Sequence, residues 1–218
     1  MRIGVLCLVL VLALMSPLFA EPGFEFWPGV KYDPAIPTYE KVLGYSAGDR
    51  ITAPADIVRY MEALAQAASS RMKVWDYGKT WEGRRLIYAA VGSEANIRRL
   101  DSLSDGMRKL SDPRQTPKAD ADRLIASLPS SVWLAYGVHG NELSSPDAAL
   151  LSAYHLLAAR NDDVVSAILK DAIVFIDPSQ DPDGRNRFVQ HFVQSEGLEP
   201  NANPEALELF RDLPELQS

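Results

Sequence analysis

Cysteine is nearly absent. Of 218 residues only Cys7 carries a thiol, and it lies inside an apolar leader, so the rest of the chain has no disulfide framework and no thiolate metal site. Positive charge is also short: 22 Lys and Arg against 29 Asp and Glu leave a net charge of −7, or −8 once Arg2 leaves with the leader. With that balance, and no basic stripe interleaved with aromatics, nucleic acid is excluded as a partner. The acidity itself serves solubility. Two catalytic signatures are missing, the Gly-x-Ser-x-Gly nucleophile turn and the His-Glu-x-x-His helix. Gly78-Lys79-Thr80 is no phosphate loop, because the glycine that motif needs upstream is absent. Histidine is scarce: His139, His155 and His191 are all there are.

Only residues 3–15 form a long hydrophobic run, preceded by Arg2 and followed by Ser16, Pro17 and Ala20. That pattern predicts a signal peptide over residues 1–20, an uncleaved anchor being the alternative. Leu6 before Cys7 argues against lipid attachment. Export without disulfides fits a periplasmic or secreted protein, with no membrane attachment after the leader is cleaved. The remaining 198 or so residues suffice for one domain with its own core. Residues 21–52 read as an extended arm, rich in proline, glycine and aromatics (Phe24, Phe26, Trp27, Tyr32), with a short helix near Tyr39. The domain proper spans 53–218.

Within it, Ile57, Tyr60, Met61 and Leu64 fall at helical spacing after Pro54. Residues 72–78 and 86–91 read as a β-hairpin around Thr80-Trp81-Glu82-Gly83-Arg84. Ile97, Leu100, Leu103, Met107 and Leu110 predict one helix over 94–110, and a second short helix spans 120–128. Val132-Trp133-Leu134-Ala135 reads as a buried strand that ends at Gly137. After it a helix is expected with Ser144 or Ser145 as N-cap and Pro146 in the first turn. A further short helix over 162–170 leads to the apolar strand 172–176. Helices of crossover length between two apolar strands predict a βαβ unit with parallel strands, so His139 and the stretch 177–185 should share one sheet edge. Helices over 187–195 and from 203 onward complete the reading.

Ligands collect at the carboxyl ends of strands in open α/β sheets, which makes Gly137-Val138-His139-Gly140-Asn141-Glu142 the candidate site. Imidazole nitrogen and carboxylate oxygen are both zinc donors. The alternative is an ordinary loop histidine beside a glutamate favoured by the helix dipole. His155, 13 residues past Glu142, is turned about 220° round a helix axis from it at about 100° per residue, so it should pack elsewhere.

Those residues, with Asp181-Pro182-Asp183-Gly184-Arg185 after the second strand and Thr80, Glu82, Gly83 and Arg84 in the hairpin, resemble the zinc carboxypeptidase family, peptidase M14. The resemblance implies an α/β fold of three layers, α/β/α, around a mixed, partly parallel sheet. It also implies Zn²⁺ as cofactor, His139 and Glu142 as metal ligands, and a peptide as substrate. Arg185 and Arg187 are the candidate substrate-binding residues, for a peptide carboxylate. In the family the third ligand, an Asn-Arg pair and a glutamate base lie well beyond the Asp-Gly turn. Here only His191 remains as a third histidine, too soon after the turn. The chain therefore reads as the amino-terminal part of a secreted metallocarboxypeptidase domain, incomplete and inactive. A non-catalytic binding module, or a zinc amidohydrolase acting on cell-wall peptides or acylated amino acids, is the alternative.

Overall fold

The computed structural model describes residues 25–195. The expected signal peptide and the helix from 203 onward lie outside them. The chain divides into two units, Met1–Val30 and Lys31–Ser218. In the first, residues 25–30 make a turn in which Val30 N–H donates to Trp27 O at 3.3 Å, with the Phe26 and Trp27 rings 6.1 Å apart.

The second unit runs β1 (Lys31–Tyr32), α1 (Tyr39–Leu43), α2 (Pro54–Ala67), β2 (Met72–Lys79), β3 (Arg85–Val91), α3 (Glu94–Arg98), α4 (Leu100–Ser111), α5 (Lys118–Ser127), β4 (Ser130–Ala135), α6 (Ser144–Ala158), β5 (Ala159–Arg160), α7 (Asp163–Asp171), β6 (Ala172–Asp177) and α8 (Pro182–Ser195). The main sheet has the order β2-β3-β6-β4, and β1 pairs with β5 apart from it. β2 and β3 form the hairpin, β3 lies antiparallel to β6, and β4 lies parallel to β6 from Ser130↔Ala172 to Ala135↔Asp177. The mixed sheet and the parallel crossover are those expected.

Alternation along the strands divides their side chains between two cores. On one face Ala89, Val91, Val174 and Ile176 meet the buried stripe of α2 (Ile57, Tyr60, Met61, Leu64) and Leu150, Ala153 and Leu157 of α6. On the other, Ala90 and Ile173 meet Ile97 and Leu103 of α3 and α4. That is the three-layer arrangement. The arm is more than a surface strip from Lys31 onward, because Ile36, Tyr39, Leu43 and Tyr45 are buried in the larger core.

Three local expectations need correction. The helix over 94–110 is two, broken at Arg99 (φ −107°, ψ 19°). Buried Asn96 donates from its side-chain amide to Lys170 O and accepts from Arg99 Nη2, so the chain turns there although the apolar stripe continues. Neither serine caps α6. Its cap is Leu143, and the Ser145 hydroxyl accepts from Gly137 N–H at 2.9 Å instead. Nor is β4 buried: it is an edge strand among the described residues, with Val132 41% and Trp133 54% exposed. An apolar run gives strand propensity but does not say how many neighbours the strand has.

Candidate functional site

His139 and Glu142 lie in the loop between β4 and α6, and their side chains converge. His139 Nδ1 and Glu142 Oε1 are 2.9 Å apart, both exposed. The imidazole beside it holds the Glu142 carboxyl below its ordinary range. The loop leaves β4 through Gly137 at φ 62°, a left-handed position that glycine adopts without strain. A Cβ there would also lie 2.9 Å from Pro146 Cγ.

The loop is held by the segment that follows β6. Tyr136 N–H donates to Asp177 O, Gln180 N–H to Tyr136 O, and Asp181 N–H to Gly137 O, at 2.9, 3.0 and 2.9 Å. The backbones then approach so closely that a Cβ on Gly140 would lie 2.0 Å from Arg185 N. The Asp-Pro-Asp-Gly motif is not a free turn ahead of a later helix, because α8 begins at Pro182 and the motif forms its first turn.

The hairpin tip joins the same edge, since β3 runs antiparallel to β6 and starts beside β6's carboxyl end. Asp183 accepts from Thr80 Oγ1 at 2.8 Å, from Arg84 Nη1 at 2.6 Å and from Glu82 N–H at 3.2 Å. Arg84 also pairs with Glu82, and Glu82 accepts from Arg187 Nη2 at 2.8 Å. The hairpin and Asp-Gly motifs, 101 residues apart between Glu82 and Asp183, thus meet through side chains.

The two arginines differ in setting. Arg187 is partly exposed in its pair with Glu82. Arg185 is 1% exposed: its Nε donates to Thr52 O at 2.7 Å, Nη1 to Leu143 O at 3.0 Å and Nη2 to Asp147 Oδ2 at 3.2 Å. Burial pulls its pKa below the ordinary value and Asp147 opposes that shift. His155 points elsewhere, as its helical offset requires, with Nδ1 3.1 Å from the Tyr32 hydroxyl. His191 lies on α8 and belongs to no metal-holding group among the described residues. Sequence reasoning missed Asp177, at the carboxyl end of β6. Its Oδ2 accepts from Tyr77 OH at 3.0 Å and from Gln180 Nε2 at 3.3 Å, its buried Oδ1 has no hydrogen-bond partner among the described residues, and burial raises its pKa. Its place at the end of an apolar run was the one available signal.

Zinc needs three protein donors and an open position to activate water. His139 and Glu142 fit two corners by donor chemistry and convergence. Among the described residues no group of three His, Cys, Asp or Glu could hold a metal ion. The fit is partial, and no hydrolytic step follows from it. A surface groove of about 990 Å³, lined by Asp105, Arg108, Asp120 and Arg123 between α4 and α5, contains neither residue.

No curated protein sequence matches the chain. Among solved structures, the crystal structure of thrombin activatable fibrinolysis inhibitor matches at 14% identity with a TM-score of 0.44, covering 71% of this chain and 30% of that one. Carboxypeptidase A from Helicoverpa armigera matches at 18% identity with a TM-score of 0.46, covering 67% and 27%. The bovine inhibitor in complex with tick carboxypeptidase inhibitor matches at 14% with a TM-score of 0.38, covering 68% and 34%. The match therefore spans between 27% and 34% of the length of those structures. A family model, Peptidase M14, zinc carboxypeptidase, matches residues 57–208, well over half the chain, and with its motifs gathered at one sheet edge the protein belongs to the zinc carboxypeptidase family.

Proposed function

We propose that this chain carries the metal-binding amino-terminal part of a secreted zinc metallocarboxypeptidase, in which His139 and Glu142 are zinc ligands. The observation that supports it is the convergence of His139 Nδ1 and Glu142 Oε1 at the carboxyl end of β4 in a member of this family. Zinc, when bound, would supply a Lewis acid and an activated water. The domain expected over 53–218 takes in the arm from Lys31 onward, whose side chains share its core, behind a leader over 1–20, and the mature chain is periplasmic or secreted. Its substrate is a peptide with a free carboxylate. Arg187 is the arginine placed to meet that carboxylate, if Glu82 releases it. Arg185, buried and hydrogen-bonded inside the protein, serves position rather than contact.

With the two donors that its described residues offer, the chain binds zinc weakly and turns over no peptide at a useful rate by itself. Support comes from the lack of a third donor among the described residues and from the histidine count, since His155 packs against Tyr32. The same observation favours, as second reading, a non-catalytic zinc-binding module. Calorimetric zinc titration of the mature chain, with an assay of carboxy-terminal release from a mixed peptide pool, tests both. Weak binding lost in His139→Ala, without turnover, is expected. Robust turnover abolished by His139→Ala and by a chelator would overturn the inactive reading. Zinc binding unchanged in both His139→Ala and Glu142→Ala would remove the metal assignment.

A further inference from the structure

The first turn of α8 grips the His139 loop at both ends. At the histidine end the Asp181 carboxylate lies between two backbones: Oδ2 accepts from Gly140 N–H at 3.1 Å and Oδ1 from Gly184 N–H at 2.9 Å. Both glycines make this possible. A Cβ on Gly184 would lie 2.1 Å from Asp181 Oδ2, and one on Gly140 2.0 Å from Arg185 N and from Gly184 C. Gly140 N–H belongs to the peptide group that begins with the His139 carbonyl, so fixing it fixes the plane from which His139 projects. At the glutamate end, buried Arg185 Nη1 donates to the carbonyl of Leu143, the residue after Glu142, while Nη2 holds Asp147 of α6. Asp181 and Arg185 are four residues apart, and Arg185 N–H donates to Asp181 O at 3.1 Å, so the two grips belong to one rigid turn.

We infer that Asp181 and Arg185 are positioning residues that set the separation and aim of His139 and Glu142. This rests on reading that pair as the metal site, but the geometry it explains exists without metal. An acceptor that satisfies backbone donors in two segments at once fixes their relative position, since moving either segment leaves a donor or an acceptor unpaired. Asparagine at 181 would keep one acceptor oxygen and turn an amide N–H toward the other donor. Alanine would leave neither acceptor.

The experiment uses the full chain and two readouts. In the metal-free protein, NMR of the ring nitrogens reports the His139–Glu142 contact, with the His155 ring as reporter of the fold. Calorimetry with zinc alone then reports affinity. Asp181→Ala is expected to shift the His139 ring signals while leaving those of His155 in place, and to weaken zinc binding at least tenfold. Asp181→Asn should fall between alanine and wild type, and Arg185→Lys, which keeps the charge but loses the fork, should move the His139 signals less than Asp181→Ala does. Should Asp181→Ala fail to fold, Asp181→Asn and Arg185→Lys decide. Unchanged His139 signals in the folded variants overturn the inference. So does a His155 signal that shifts in step with that of His139, which would show general loosening. Altered His139 signals together with zinc affinity that His139→Ala leaves untouched would keep the positioning role and reject the metal reading, so the two fail separately.

Discussion

At Asp177 a carboxylate is held where a neutral group would sit more comfortably. It is 2% exposed, Oδ1 is buried without a hydrogen-bond partner among the described residues, and burial raises its pKa. A carboxyl whose folded pKa exceeds the unfolded one supports folding while protonated, below the unfolded value, and loses that contribution as pH rises through the folded value. Asp177→Asn should therefore stabilise the protein at pH 7, by on the order of 1 kcal/mol, while Tyr77 keeps an acceptor. The gain should shrink toward zero near pH 4. Denaturant melts of both proteins across that range check it, and a variant less stable at pH 7 would show that the charge has a use not visible here. Arg185 is the opposite case, a buried cation with its needs met by Thr52, Leu143 and Asp147. Removing one member of a buried pair leaves the other charge uncompensated, so Arg185→Ala should cost about 3–5 kcal/mol. A loss below 1 kcal/mol in the same melts would mean that water replaces the guanidinium without difficulty.

Between elements, the hairpin tip is held to α8 by two side chains, Asp183 and Arg187, the second through its pair with Glu82. Asp183 accepts from Thr80, Arg84 and the Glu82 amide, so Asp183→Ala should loosen the tip without disturbing the β2–β3 ladder. Hydrogen exchange at the Glu82 amide should quicken on the order of tenfold, equivalent to about 1.4 kcal/mol, while exchange at Ala89 and Val91 stays as it was. Equal acceleration throughout the hairpin would mean that Asp183 supports the strands as well. Much of this level was legible in the sequence, because α2, the hairpin, β4, β6 and the crossover each show their period or their apolar run. Parallel β4 and β6 then required His139 and the Asp-Gly motif to share an edge. What could not be read were partnerships between distant segments. Nothing in Thr80 to Arg84 announces Asp183 as its partner, nothing in Arg185 says that it turns inward, and Ser145 looked like a cap because its use by Gly137 N–H is a tertiary matter. The break at Arg99 was hidden for the same reason, since it depends on a carbonyl in α7.

At the scale of the molecule, an unbalanced surface among the described residues is the outer side of β4. No described strand pairs with that edge, and residues 128–138 include no charged side chain to discourage pairing. Natural edge strands commonly carry lysine, proline or a bulge for this purpose. The strand also ends a row of rings across one sheet face: Trp75 stacks on Tyr88 at 5.2 Å, Tyr88 meets Trp133 at 5.5 Å, and Trp133 stacks on Phe175 at 5.5 Å. Val132, neighbouring Trp133 and hence on the opposite face of the strand, is exposed as well, so apolar surface flanks the open hydrogen-bonding edge on both sides. The net charge of −7 opposes close approach of two copies, but at 0.15 M salt it is screened beyond about 8 Å. Self-association through β4 is the expected outcome, growing with protein concentration over the micromolar range and with added salt. Val132→Lys places a charge beside the edge without touching the Trp133–Phe175 stack, and should return the protein to monomer while leaving its melting behaviour near that of wild type. Sedimentation velocity at several concentrations, for both proteins at low and moderate salt, distinguishes the cases. A wild type that stays monomeric throughout would show that β4's edge is protected by something other than charge, and association that persists in Val132→Lys would move the contact to another surface.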